Sequence, residues 1–135
     1  MSESKSGEPT FTKITLHTGS DGRARFRADP IALPQGSPQA RLSALMPSAG
    51  VQLRHSPVGF RSQFHCTVTP QWVFVLQGEM EIGLQDGSSR IFKAGEHFFS
   101  ADLVPAGAEF NPSLHGHWSR QNGSQPLVTL FVRDV

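Results

Sequence analysis

The sequence predicts an all-β chain, and three observations carry that expectation. Its 13 glycines and 10 prolines punctuate it into short pieces, each about five to nine residues, suited to strands and too short for several amphipathic helices. Trp72 to Leu76 is a continuous apolar run, as expected of a central strand covered on both faces. From Glu79 to Leu84 polar and apolar residues alternate, which puts Met80, Ile82 and Leu84 on one buried face and leaves the other wet.

The elements follow in order. Residues 1–9 are rich in Ser, Glu, Lys and Gly and are expected to be a disordered tail, with a single domain over 10–135. Thr12–Thr18 and Ala24–Leu33 flank a Gly-Ser-Asp-Gly turn and read as paired strands, as do Gln39–Met46 and Val51–His55 on either side of Pro47 to Gly50. Pro38 and Pro47 limit any helix between them to about two turns. Asp86-Gly87 is a two-residue hairpin signal, because both residues tolerate positive φ, with Ser89–Phe92 as the returning strand. Lys93 to Glu96 turns into His97–Ser100, Leu103–Leu114 is a long loop with Pro105, Gly107 and Pro112, and Leu127–Arg133 is the last strand. Ten or so short strands in one domain leave a sandwich, a jelly roll or a small barrel, and the pattern does not choose among them.

Composition narrows the function. At 135 residues with a net charge of +1, and with basic residues scattered rather than striped, the chain gives no indication of nucleic-acid binding. No apolar stretch approaches the roughly 18 residues of a membrane helix, and the N-terminus has no secretory pattern, so a soluble cytoplasmic protein is expected. Cys66 is the only cysteine, which excludes an intrachain disulfide and a thiolate-rich zinc site. Any metal must use nitrogen and oxygen donors.

Residues Gly59 to Gly78 hold the chemistry. As a strand, Gly59–Val68 would place Arg61, Gln63, His65 and Thr67 on one face and Phe60, Phe64, Cys66 and Val68 on the other. Alternation leaves open whether His65 faces solvent or a cavity, because a one-residue change of facing exchanges the two sets. His17, His55 and His97 have no partner within their segments, and Cys66 reads as a small packed hydrophobe.

The frame Gly59, His65, Thr67, Gln71, Gly78 resembles the first motif of the cupins, in which a glycine, two histidines one residue apart, a glutamate and a closing glycine occur at these spacings. Thr67 stands at the second histidine and Gln71 at the glutamate. Gly95-Glu96 is similar to the start of the second motif. His65, Gln71, the pair Gly116-His117 and the terminal Pro126–Val132 segment resemble a subgroup of small single-domain cupins, over roughly Asp21 to the C-terminus.

The resemblance implies a cupin-type jelly-roll barrel. It implies a divalent metal (Fe, Ni, Mn or Zn) held by His65, Gln71 and His117, with Arg61, Thr67, Asp102 and His115 around the ligand pocket. Asp102 or Glu109 could add a carboxylate from the loop. His115 and His117 are two apart and would share a strand face, so both remain candidates for the second-motif histidine, His117 being preferred because Gly116 precedes it. Residues 103–114 are an insertion relative to the motif. The expected function is action on, or binding of, a small polar metabolite, by a metal-dependent enzyme of oxidoreductase or isomerase type or by a metal-free binding module. The resemblance also implies a homodimer, in which a second subunit or the N-terminal strands cover Phe60, Phe64 and Val68.

Overall fold

The structure, a computed structural model, describes residues 9–135; the expected tail lies outside the described residues apart from Pro9. Eleven strands and no helix occur among them: β1 Thr10–Thr18, β2 Ala24–Ala32, β3 Gln35–Ser37, β4 Ala40–Leu42, β5 Gly50–Ser56, β6 Gln71–Gln77, β7 Glu79–Gly83, β8 Ser89–Lys93, β9 His97–Ala101, β10 Trp118–Asn122 and β11 Leu127–Arg133. Among the described residues no helix is long and apolar enough to cross a membrane.

A six-stranded sheet has the order β2-β1-β9-β6-β11-β5, and a three-stranded sheet the order β10-β7-β8. The chain crosses between them after β6, after β8, after β9 and after β10. That alternation of sheets is the jelly-roll topology, so the expected jelly-roll barrel is the fold observed. Leu16, Val73, Val75, Phe98 and Leu127 of the larger sheet meet Met80, Ile82 and Phe92 of the smaller one to form the core. Burying each of these side chains contributes about 1.5–3 kcal/mol of transfer free energy.

The first crossing is made at a single residue. Gly78 has φ 78°, and a Cβ there would lie 2.7 Å from the Pro126 carbonyl oxygen. Only glycine fits a left-handed corner with backbone packed on it, which gives the closing glycine of the motif a physical role.

Several expectations need correction. Gln39–Met46 does not pair with Val51–His55: β4 pairs with β3 as a separate ribbon, and β5 pairs with β11. β3 and β4 close a local hairpin across Pro38-Gln39, whereas the pairing of β5 with β11 is a long-range outcome that turn residues do not determine. Gly59–Val68 is not a strand; two isolated bridges, Arg61 to Arg120 and His65 to His117, hold it against the start of β10. Trp72 to Leu76 is central, but only Val73 and Val75 are buried, and Leu76 is exposed. The second face of β7 is not wet, because Glu81 is buried there and accepts bonds from Ser89, Arg120 and Asn122. In the β7–β8 hairpin only Gly87 has positive φ, and the turn closes from Leu84 to Ser88, a longer loop than the two-residue type.

His97 packs among Phe11, Trp72 and Phe74, and its Nε2 accepts the Ile14 N–H at 3.3 Å. Burial, then the charges of Arg90 and Lys13, hold its pKa below the ordinary 6.5. It is neutral in the fold, whereas the unfolded chain takes up the proton as pH falls through 6.5, so its stabilisation is complete above that pH and declines below it. Glu81, held below its usual 4.5 first by the Ser89 hydroxyl and also by Asn122 and Arg120, adds a loss in the more acidic range. Denaturation midpoints measured against pH are therefore expected to decline below 6.5 and again below 4.5, and His97→Phe to flatten the first limb. A midpoint that rises as pH falls below 6.5 would contradict this assignment.

Candidate functional site

The site forms where the irregular Gly59–Thr69 segment crosses the chain entering β10. His65 and His117 exchange both backbone bonds, at 2.9 and 3.0 Å, and so lie directly opposite each other. Their rings stand 4.7 Å apart between centroids, tilted by 57°. Further along, the Thr67 N–H donates to the Asp102 carbonyl at 2.7 Å and its hydroxyl bonds Ser100 Oγ at 2.6 Å. The segment is thereby tied to both sheets of the barrel.

Between them lies a cavity of about 250 Å³. Its wall includes His65, Thr67, Gln71, Ser100, His117 and Ser119, an apolar floor of Val73, Met80, Ile82 and Phe98, and two arginines, Arg54 and Arg133. Among the described residues no aspartate or glutamate is in the wall.

Each imidazole is held by its Nδ1. In His117, which is buried, Nδ1 is 2.9 Å from Asp102 Oδ2, and the other carboxylate oxygen accepts the Thr18 hydroxyl at 2.8 Å. In His65, Nδ1 is 2.8 Å from the Gln63 carbonyl oxygen, which can only accept, so this nitrogen carries the proton. An Nδ1–H bond to carboxylate or carbonyl fixes the tautomer that leaves Nε2 with a free lone pair. His65 sits exposed at the rim, yet partial desolvation of its ring is the largest cause of a pKa below 6.5, opposed by the Gln63 bond and the Asp102 charge and reinforced by the charge of Arg54. It is neutral at physiological pH.

The structure brings together His65, Thr67, Gln71 and His117 on this one cavity. It does not bring in the others. Arg61 is exposed and lines a different depression with Phe64 and Trp118. Asp102 is fully buried behind His117 and is not in the wall. His115 lies outside the wall: its Nδ1 accepts the Asn111 N–H at 3.0 Å and its backbone N–H donates to the Asn111 carbonyl at 2.7 Å, which pins the 103–114 loop. Glu109 is exposed and also outside. Cys66 lines the cavity, where regular alternation would have turned it away; burial, then the Asp102 charge, push its thiol up to about 11, so it stays protonated.

Arg54 was not found by sequence reasoning. Alternation along β5 makes Val51 and Leu53 the natural inward set, yet those two are 64% and 70% exposed and Arg54 faces the barrel instead. No local signal marks this inversion.

A divalent metal can be tested against these donors. Among the described residues no group of three or more His, Cys, Asp or Glu is disposed to hold one. A metal would therefore rest on two imidazole nitrogens and the neutral amide oxygen of Gln71, a set suited to Zn, Fe, Ni or Cu but without the carboxylate of the two-histidine-one-carboxylate iron sites.

No family model and no curated protein matches the chain. Among solved structures it is similar to the cupin domain of Schizosaccharomyces pombe Cnp3, at 14% identity and a TM-score of 0.47 over 93% of this chain and 83% of that one. It is also similar to a Salmonella typhimurium LT2 protein described as ethanolamine utilization protein Q, at 15% identity and a TM-score of 0.39 over 93% and 96% of the two chains.

Proposed function

We propose that this cupin-fold chain binds a small polar metabolite in the barrel cavity, that the His65–His117 pair is the working centre, and that the pair with Gln71 takes a divalent transition metal. The observation that carries this is the anchoring of both Nδ1 atoms, to Gln63 O and to Asp102, on rings that line one cavity. Imidazoles anchored at Nδ1, with Nε2 kept for a ligand, are what a metal requires, and a carboxylate behind one of them raises its basicity. A metal bound there would polarise a ligand oxygen as a Lewis acid. Thr67, Ser100 and Ser119 would orient the metabolite by hydrogen bonds, and the apolar floor would accommodate its carbon skeleton. A metal-free binding module is the second reading, favoured by a wall that carries two arginines and no carboxylate.

Calorimetric titration of the metal-stripped chain with Zn²⁺, Ni²⁺, Mn²⁺ and Fe²⁺ separates the two. At least one metal is expected to bind stoichiometrically, with His65→Ala and His117→Ala each abolishing measurable binding and Asp102→Asn weakening it about 10–100-fold. Binding that survives both histidine substitutions would remove the ligand assignment, and no binding of any of the four would leave the metal-free module.

We also propose a homodimer. Support comes from apolar surface that one copy leaves open: Val68 is 95% exposed, and a groove of about 620 Å³ on the outer face of the six-stranded sheet is lined by Phe11, Ile31, Leu33, Met46, Trp72 and Phe74. Light scattering should return twice the 14.7 kDa chain mass at micromolar concentration; the monomer mass there would reject the dimer.

A further inference from the structure

Arg54 stands out in the cavity wall. Its Nε donates to Ser56 Oγ at 3.0 Å, and its guanidinium carbon lies 4.7 Å from the Phe60 ring centre and 5.7 Å from that of Phe131, so the charged group is held between two aromatic side chains. Its Nη2 is buried with no hydrogen-bond partner, one of two such side-chain atoms among the described residues. The other is Thr129 Oγ1, on the residue directly opposite Arg54 in the β5–β11 pair. Elsewhere Arg25, Arg27 and Arg120 each meet a carboxylate, at Asp21, Asp29 and Glu81; among the described residues Arg54 forms no such ion pair.

A desolvated guanidinium without a counter-ion is unfavourable unless something supplies one. Among the described residues the wall offers no carboxylate; its other ionisable side chains are Arg133, His65, Cys66 and His117, and Asp102 lies behind His117, which it bonds. Arg133 is exposed and spends one nitrogen on Gln52 Oε1 at 3.1 Å, which leaves Arg54 as the inward donor. The planar fork of a guanidinium matches the two oxygens of a carboxylate or phosphate. We propose that Arg54 anchors an oxyanion group, carboxylate or phosphate, on the small molecule that enters the barrel cavity, whose wall also carries the His65–His117 pair. This rests on the proposed function only in using the same cavity. The cavity, at about 250 Å³, is of a size to take a short organic acid.

The test titrates the full chain calorimetrically with succinate, with inorganic phosphate and with neutral succinamide at constant ionic strength. At least one oxyanion is expected to bind at least about tenfold more tightly than succinamide, and the succinate and phosphate arms distinguish the two headgroups. Arg54→Gln should lose at least about tenfold of that affinity, and Arg54→Lys should recover part of it. In anion-free buffer Arg54→Met should melt no lower than the wild type, because it removes a desolvated charge; a purely structural arginine would lower the midpoint. Equal binding of succinate and succinamide, or full affinity in Arg54→Gln, would overturn the anchor while leaving the cavity as a binding site. If neither oxyanion binds, the anchor is overturned as well, and the metal titration then decides separately whether the histidine centre stands.

Discussion

Asp102→Ala is expected to lower stability by about 2–4 kcal/mol, by leaving a buried donor unpaired and opening a small cavity. Asp102 is fully buried, and its two oxygens serve two different elements, His117 Nδ1 ahead of β10 and the Thr18 hydroxyl at the end of β1. The Thr18 hydroxyl has a second acceptor in the Leu103 carbonyl at 3.0 Å, so its loss is largely made good. Among the described residues the His117 ring has no hydrogen-bond partner beyond Asp102, and the cost concentrates there. The substitution therefore reaches the site as well: without the carboxylate the imidazole can take either tautomer, and Nε2 is no longer reserved for a ligand. Asp102→Asn keeps the volume and one acceptor oxygen and should cost about 1–3 kcal/mol. Urea denaturation measures both, and an Asp102→Ala change below about 0.5 kcal/mol, the range of ordinary surface substitutions, would remove Asp102 as the support of His117.

Gly116→Ala should disturb the centre through the backbone. Gly116 has φ 87°, and a Cβ there would lie 2.6 Å from the His65 carbonyl oxygen and 2.9 Å from its carbonyl carbon. The left-handed conformation costs an alanine about 1–2 kcal/mol, and the contact adds about 1–3 kcal/mol of overpacking against backbone that cannot move without breaking the His65–His117 bridge. Stability and metal affinity are thus expected to fall together in this variant, read by denaturation and calorimetry on the same protein. If affinity is unchanged, the close approach of Gly116 to His65 is not what sets the spacing of the two rings.

Gly116 also shows what sequence could and could not convey. Two residues apart, His115 and His117 would share a face in a regular strand, but the positive φ between them breaks the alternation and sends His117 to the cavity and His115 to the Asn111 loop. Strand content was legible because glycines and prolines bound the pieces locally, and β11 runs from Leu127 to Arg133 as the pattern predicts. The pairing of β5 with β11 was not, since strands far apart in the chain pair according to which is near in space. The facing of His65 was not legible from alternation because its segment is bridged rather than laddered. Arg54 lay beyond reach for a different reason: its strand turns Val51 and Leu53 outward against the hydrophobic pattern.

In the proposed centre two imidazoles, each tied at Nδ1, present Nε2 to one cavity. Long-range ¹H–¹⁵N spectra of the imidazole nitrogens at neutral pH, recorded with and without added Zn²⁺, test this arrangement most directly. The expected result is an Nδ1–H tautomer for both His65 and His117, with both Nε2 resonances shifting together as Zn²⁺ is added. An Nε2–H tautomer for either ring, or Nε2 resonances that Zn²⁺ leaves unmoved, would contradict it.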